Sequence, residues 1–216
     1  MAELLDNLKS LNLDGLRPVF APDAAKARQL AEDRKHVRRS DKAVMLDARR
    51  LANALEHIGR LPEAGEAFHC VTEKRYSMGH IIPTVLHFAA PAVIDYAAIV
   101  TLSFSKANMI DLLAMIDAGQ IGRLDFAYSC YFRSNNKEAC CRLTDELTAR
   151  GCRVYSGLIH AKILLLGLSD GRGYVVESSA NLRSCASIEQ IVVTHDAALL
   201  EFHRQWLDSL FPEATP

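Results

Sequence analysis

The chain has 216 residues and a mass of 23.9 kDa, with 50% hydrophobic and 24% charged residues. These values exclude a disordered chain, a collagen-like repeat and a low-complexity protein. A globule of this mass buries roughly 70% of the surface its unfolded chain exposes, so a core can hold it without disulfides or structural metal. The net charge of −1 averages over an imbalance: Lys26 to Arg50 carries nine basic and four acidic residues, a local +5, which leaves −6 on the remainder.

The six cysteines (Cys70, Cys130, Cys140, Cys141, Cys152 and Cys185) include no CxxC pair, and two are adjacent. That spacing suits reduced, mostly buried thiols in a cytoplasmic protein, not a disulfide framework or a zinc site. The first residues, MAELLDNLKSLNLDG, lack a basic region followed by an apolar run and do not read as a secretory signal. IIPTVLHFAAPAVIDYAAIV is the most apolar stretch, but it contains His87, Asp95 and two prolines and reads as a helix passing into a strand, not as a membrane span.

Residues 3–13 place Leu4, Leu5, Leu8 and Leu11 at helical spacing, ended by Gly15 and Pro18. A second helical region runs from Pro22 to Ile58, charged and thinly apolar, with Gly59 and Pro62 as its stop. It reads either as a solvated helix along one edge or as a basic arm, built on RKHVRR, that neutralises the phosphates of a nucleic acid through Lys35, Arg38 and Arg39. Residues 1–62 are thus expected to form a helical, partly basic extension, and residues 63–216 an α/β domain.

From residue 65 short apolar runs alternate with helical patterns. AFHCVTE reads as a strand, SMGHIIPTVLHFAA as a helix, VIDYAAIVTLSF as a strand and SKANMIDLLAMIDAG as a helix with a serine cap and a glycine end. RLDFAYSCYF, KEACCRLTDELTARG and CRVYSG follow as strand, helix and short strand. IHAKILLLG, YVVES and IEQIVVT read as three strands, the first two joined by the SDGRG turn and the last two by the irregular SANLRSCAS, with a closing helix from Asp196 to Leu210. The pattern predicts a mixed β-sheet with helices on both faces.

The chemistry concentrates near the end of the chain. In a strand, i and i+2 face the same way, so His160 and Lys162 project together while Ala161 and Ile163 pack behind. Two polar groups on a strand that continues ILLL are costly unless partnered. Asn181, in SSAN, and Glu189, opening the next strand, lie where a hairpin would return them to the same end of the sheet. Lysine, amide and hydroxyl donors suit the non-bridging oxygens of a phosphate ester, a neutral imidazole suits attack on phosphorus, and a carboxylate suits orienting that imidazole. The set calls for no metal and no cofactor. The other seven histidines (His36, His57, His69, His80, His87, His195 and His203) show no ligand spacing.

The segment HAKILLLGLSDGRGYVVESSANLRSCASIEQ resembles the signature of the phospholipase D superfamily, a His-x-Lys strand followed by a Gly-Ser-x-Asn loop and an acidic residue. The resemblance implies that His160 is the nucleophile, Lys162 and Asn181 bind phosphate, Ser179 contributes a site hydroxyl and Glu189 partners a histidine. Two positions depart from it. Gly167 stands where the family carries an Asp, and Ser178 replaces the first loop glycine; nuclease-like branches lacking that Asp keep the other groups. Arg183 and Arg133 read either as substrate contacts at the mouth of such a site or as a plain surface arginine and a loop residue.

In-line displacement needs a nucleophile on one side of phosphorus and an acid on the other. With one His-x-Lys in the chain, the expectation is a twofold homodimer bringing two copies of His160 to one phosphate. Three readings stand at this point: a metal-independent nuclease, an inactive nucleic-acid-binding or assembly module within a larger complex of a phage or mobile element, and an enzyme of phospholipid hydrolysis or phosphatidyl transfer.

Overall fold

The computed structural model describes residues 39–73, 75–183 and 187–211. Lys35, Arg38 and the predicted helix at 3–13 lie outside them. Helix α1 (Arg39–Ile58) leads, and its Leu51, Ala54, Leu55 and Ile58, three or four residues apart, are buried in the same core as the helices that follow. Strand β1 (Ala67–Glu73) comes next, then a 3₁₀ turn at Met78–His80, α2 (Ile81–Ala89), β2 (Ile94–Thr101), α3 (Lys106–Asp117) and β3 (Ile121–Ser129). The chain continues through α4 (Cys130–Asn135), α5 (Lys137–Thr148), β4 (Arg153–Gly157), β5 (Ile163–Leu168), β6 (Gly173–Ser178), β7 (Ile188–Thr194) and α6 (Ala197–Asp208).

The strands form one seven-stranded sheet in the order β1-β7-β6-β5-β2-β3-β4. β2, β3 and β4 run parallel, while β5, β6, β7 and β1 pair antiparallel in succession, β5 joining the two halves beside β2. Helices cover both faces, as the alternating pattern predicts. Ala97 and Ile99 of β2, Leu164 and Leu166 of β5 and Val176 of β6 face a larger core shared with α1, α2, α3 and α5. Their neighbours Ala98, Val100, Ile163, Leu165 and Val175 face a smaller core closed by Leu207 and by Leu199, Leu200, Trp206 and Leu210 around α6. Burial on both faces is why these central strands read as unbroken apolar runs.

Local signals end the helices where expected. The Ser105 hydroxyl accepts from Asn108 N at 3.2 Å, Gly119 leaves α3 at φ 70°, and the Asp196 carboxylate accepts from the N–H groups of Ala198 and Leu199 at 2.8 and 3.0 Å. Three strands differ from their sequence limits. β2 stops at Thr101, β3 turns at Ser129 into α4, whose first turn is capped by the Ser129 hydroxyl, and β5 begins at Ile163, after the His-x-Lys and not before it. The neighbouring strands end close to these points, β2 at Thr101, β3 at Ser129 and β6 at Ser178, so little partner remains for a longer ladder.

A charged network fastens α6 to the sheet. Asp125, 1% exposed, accepts a fork of two bonds from Arg153 at 2.7 and 2.6 Å, and Arg153 also reaches Asp208 at 2.6 Å. The Arg153 guanidinium lies over the Phe211 ring at 4.5 Å. These carboxylates hold the Arg153 pKa above its ordinary value. Without Arg153 the buried Asp125 keeps only the longer contact to Arg123 at 3.4 Å, so Arg153→Leu is expected to lower stability by about 3 kcal/mol. Asp208→Asn, on the exposed side, is expected to cost less than ~1 kcal/mol. Urea unfolding midpoints at constant m distinguish the two.

Candidate active site

One edge of the sheet gathers the ends of β2, β3, β4, β6 and β1 and the starts of β5 and β7. His160 and Lys162 precede β5 there. The backbone N–H of Ser178 donates to the Lys162 carbonyl at 3.0 Å, carrying the β5–β6 pairing one step past Ile163 and setting Lys162 against the SSAN loop. Lys162 Nζ lies 3.1 Å from His160 Nδ1 and donates to the His160 carbonyl at 2.6 Å. Ala161 does not pack behind them as the strand reading expected: it is exposed, because the chain there has left the ladder.

The SSAN loop is fixed at both ends. Ser178 Oγ donates to the Gln190 carbonyl at 2.9 Å and accepts from Ala180 N at 2.8 Å. Ala180 and Leu182 are buried, and Leu182 is latched to the end of β2: its N–H donates to Thr101 Oγ1 at 3.0 Å, and its carbonyl accepts from Ser105 N at 3.0 Å. Asn181 is held between these anchors, half-buried, and its Oδ1 is buried without a hydrogen-bond partner among the described residues. A buried amide left unmatched is costly, and turning it over offers the NH₂ to an incoming oxygen instead.

Ser179 is spent on β7. Its hydroxyl donates to Glu189 Oε2, its N–H donates to the Gln190 carbonyl at 3.0 Å, and its Oγ accepts from Gln190 N at 2.9 Å. Glu189 is thereby pinned at the start of β7, where it pairs in register with Thr72 of β1. Thr72 is 2% exposed and its hydroxyl has no hydrogen-bond partner among the described residues; in register with Glu189, it faces the carboxylate's side of the sheet. Burial lowers the Lys162 pKa from its ordinary 10.5, and the negative charge of Glu189 partly opposes that shift.

His160, Lys162, Ser179, Asn181 and Glu189 therefore meet at one place. Arg183 is exposed just past Asn181, and Arg133 is exposed on α4, beyond the end of β3 at the same sheet edge. Arg39 opens α1. Gly167 lies five residues beyond Lys162, opposite Tyr96 and Gly173, about 16 Å along the strand by the usual rise per residue. A carboxylate there would not reach His160 or Lys162. Cys70, Cys140 and Cys152 are buried with raised pKa values from desolvation, whereas Cys130 is half-buried and Cys141 exposed. Among the described residues no three His, Cys, Asp or Glu side chains are grouped to hold a metal ion, and no helix is long and apolar enough to cross a membrane.

Sequence reasoning missed Thr101 and Thr72. Both are ordinary strand threonines by pattern, and their roles arise from pairings with residues 81 and 117 positions away, which no local motif announces. Thr101→Val keeps the shape and removes both the acceptor of Leu182 N and the donor to the Ser103 carbonyl, a bond of 2.8 Å. Orphaning these buried groups is expected to cost about 1–3 kcal/mol. Thermal unfolding measures the loss, and hydrogen exchange at Leu182 should show its amide released.

No family model matches the sequence, and no curated protein matches it. Solved structures do. Polyphosphate kinase from Porphyromonas gingivalis superposes on 74% of this chain with a TM-score of 0.51 at 14% identity, and the chain spans 29% of that protein's length. Nuc, a phospholipase D family member from Salmonella typhimurium, covers 67% of this chain, and 94% of its own length is matched, with a TM-score of 0.48 at 16% identity. Phosphatidylserine synthase from Haemophilus influenzae covers 80% of this chain and is matched over 46% of its length, with a TM-score of 0.46 at 12% identity. At these identities the likeness is one of fold alone, the fold that 74% of this chain shares with polyphosphate kinase.

Proposed function

We propose that this protein is a metal-independent phosphodiesterase that cleaves nucleic acid through a phosphohistidine intermediate, in an active site completed by a second copy of the chain. The observation that carries this reading is the convergence of His160, Lys162, Asn181 and the Ser179-held Glu189 at one sheet edge. A phosphodiester has two non-bridging oxygens and no good leaving group. It needs cationic and amide donors, a nitrogen nucleophile and an acid, and this set supplies all but the acid on the far side.

At rest, Lys162 faces His160 Nδ1. A charged lysine has only protons to offer, so Nδ1 accepts and the ring proton sits on Nε2. When a phosphate draws Lys162 and Asn181 to its oxygens, Nδ1 is released; the ring gives its Nε2 proton to solvent and takes one from solvent on Nδ1, directed toward Glu189, which leaves the imidazole neutral with a free Nε2 lone pair. Nε2 then attacks phosphorus. The P–N bond forms as the P–O bond to the departing alcohol breaks, and that oxygen takes a proton from the imidazolium of the other copy's His160. Water next attacks the phosphohistidine, gives its proton to the second imidazole and breaks the P–N bond, so the products are one alcohol and one phosphate monoester. The absence of an acid at Gly167 does not interrupt these steps, because that position is remote from them.

The local +5 of residues 26–50 supports a polyanionic substrate, with Lys35, Arg38 and Arg39 as backbone contacts and Arg183 and Arg133 nearer the scissile bond. We expect cleavage of DNA or RNA in excess chelator, a phosphohistidine adduct at His160 on rapid alkaline quenching and mass spectrometry, and loss of both in His160→Ala. Cleavage that requires magnesium or survives the substitution overturns the reading. Salt-sensitive binding with no cleavage supports a binding or assembly module instead, and headgroup release from vesicles supports a lipid enzyme.

The pH profile follows from Lys162. Its folded pKa is lowered, so the ammonium loses its proton at a lower pH than a free lysine. Phosphate binding therefore weakens as pH rises through that value. The alkaline limb of kcat/KM is expected below 10.5, and in Lys162→Arg, whose guanidinium stays charged, that limb should disappear while the rate falls.

A further inference from the structure

A second feature touches His160 from the other side of the sheet edge. Val100, Tyr155, Leu158, Ile159, Trp206 and Leu210, with His160 and Ala161, line a cleft of about 340 Å³. No charged side chain other than the histidine contributes to it. The polar edge of Trp206 is already engaged, its indole N–H donating to His203 Nδ1 at 3.0 Å, so the ring meets the cleft as a hydrocarbon surface. Tyr155 is laid along the strand toward the cleft over Gly157. A Cβ on Gly157 would come within 2.5 Å of the Tyr155 hydroxyl, so the glycine is what leaves room for the ring. At the rim Leu158 is 81% exposed, a large apolar side chain with nothing over it.

We propose that this cleft seats one nucleobase of the substrate, flanking the scissile phosphate. The inference rests on the phosphodiesterase reading, because a diester held at His160 necessarily carries two organic substituents next to that residue. One of them can enter this apolar cleft, which has His160 in its wall. The walls select what enters. Two aromatic rings, aliphatic side chains and no charged partner reject a second phosphate and accept a flat, uncharged group. The volume lies at the low end of small-molecule sites, room for one base with its sugar and not for a run of nucleotides. Stacking on aromatic rings tolerates any base, so the subsite strengthens binding without reading sequence.

The test uses a dinucleoside phosphate and the two analogues lacking one base. The wild type is expected to cleave one analogue with kcat/KM at least roughly tenfold below the intact compound, mostly through KM. Trp206→Leu and Leu158→Ser should bring the intact compound down toward that level and leave cleavage of that analogue unchanged. Leu158 is so exposed that its replacement does not threaten the fold, which keeps the test decisive if Trp206→Leu is poorly folded. If the wild type cleaves all three compounds equally, or both variants treat them as the wild type does, the subsite is overturned and the phosphodiesterase stands. If the wild type cleaves none, the phosphodiesterase reading falls and takes the subsite with it. Loss of headgroup release from phosphatidylcholine vesicles in Leu158→Ser, with dinucleotide cleavage intact, assigns the cleft to an acyl chain and also overturns the proposal.

Discussion

The hydrogen bond from Ser178 N to the Lys162 carbonyl is the contact on which the site depends. It is the last rung of the β5–β6 hairpin, made where Lys162 has already left the strand. Without it, the His-x-Lys segment and the SSAN loop would be two irregular stretches at one sheet edge with nothing to fix their distance. With it, the antiparallel pairing that buries Ile163, Leu164, Leu165 and Leu166 also sets where Lys162 stands relative to Asn181. The register of this strand is specified because it is buried on both faces, and a slip of one residue would carry each side chain into the opposite core, where it does not fit. The precision of the polar site is therefore inherited from the hydrophobic core.

The same edge is held from two sides. On the larger-core face, Thr101 and Ser105 grip Leu182, tying the loop that carries Asn181 to the end of β2. On the other face α6 lies against the sheet through Leu207 and through the Asp125–Arg153–Asp208 network. That network does not touch the site, but it fixes the helix that presents Trp206 beside His160. A charged group as buried as Asp125 is tolerated because Arg153 satisfies both of its oxygens at once. Its contribution to function runs through the placement of α6.

Much of this was legible in the chain. The serine before KANM, the glycine after DLLAMIDA and the aspartate before AALL are local signals, and the helices begin and end at them. The mixed sheet followed from the alternation of patterns, and the meeting of His160, Lys162, Asn181 and Glu189 followed from a hairpin that the SDGRG turn announces. What could not be read were facts that belong to pairs distant in sequence. β5 starts at Ile163 because its neighbours β2 and β6 end just beyond, at Thr101 and Ser178, which leaves Ala161 exposed on the lip of a cleft and not packed behind the histidine. Ser179 reads as one more donor for a phosphate, yet its hydroxyl is committed to Glu189. Thr72 and Thr101 carry no motif at all.

These pairings also say what the site does before substrate arrives. Lys162 is turned to His160, Glu189 to Ser179, and Asn181 has an amide atom with no partner. The two groups with formal charge are each quenched by a neighbour, while the amide stays unsatisfied. In the phosphodiesterase proposed above, a phosphate bearing negative charge reverses this order: it satisfies Asn181, competes for Lys162 and so releases the imidazole nitrogen that lysine occupied. In that reaction assembly of the nucleophile is coupled to binding of the anion, and the histidine is kept from reacting until the group it attacks is in place. The −6 that the chain carries outside residues 26–50 makes that coupling more demanding, because the anion must be drawn in against it. The proposed reaction needs cations beyond Lys162 at the mouth, and the exposed Arg183 and Arg133 are the described residues at that edge available to supply them.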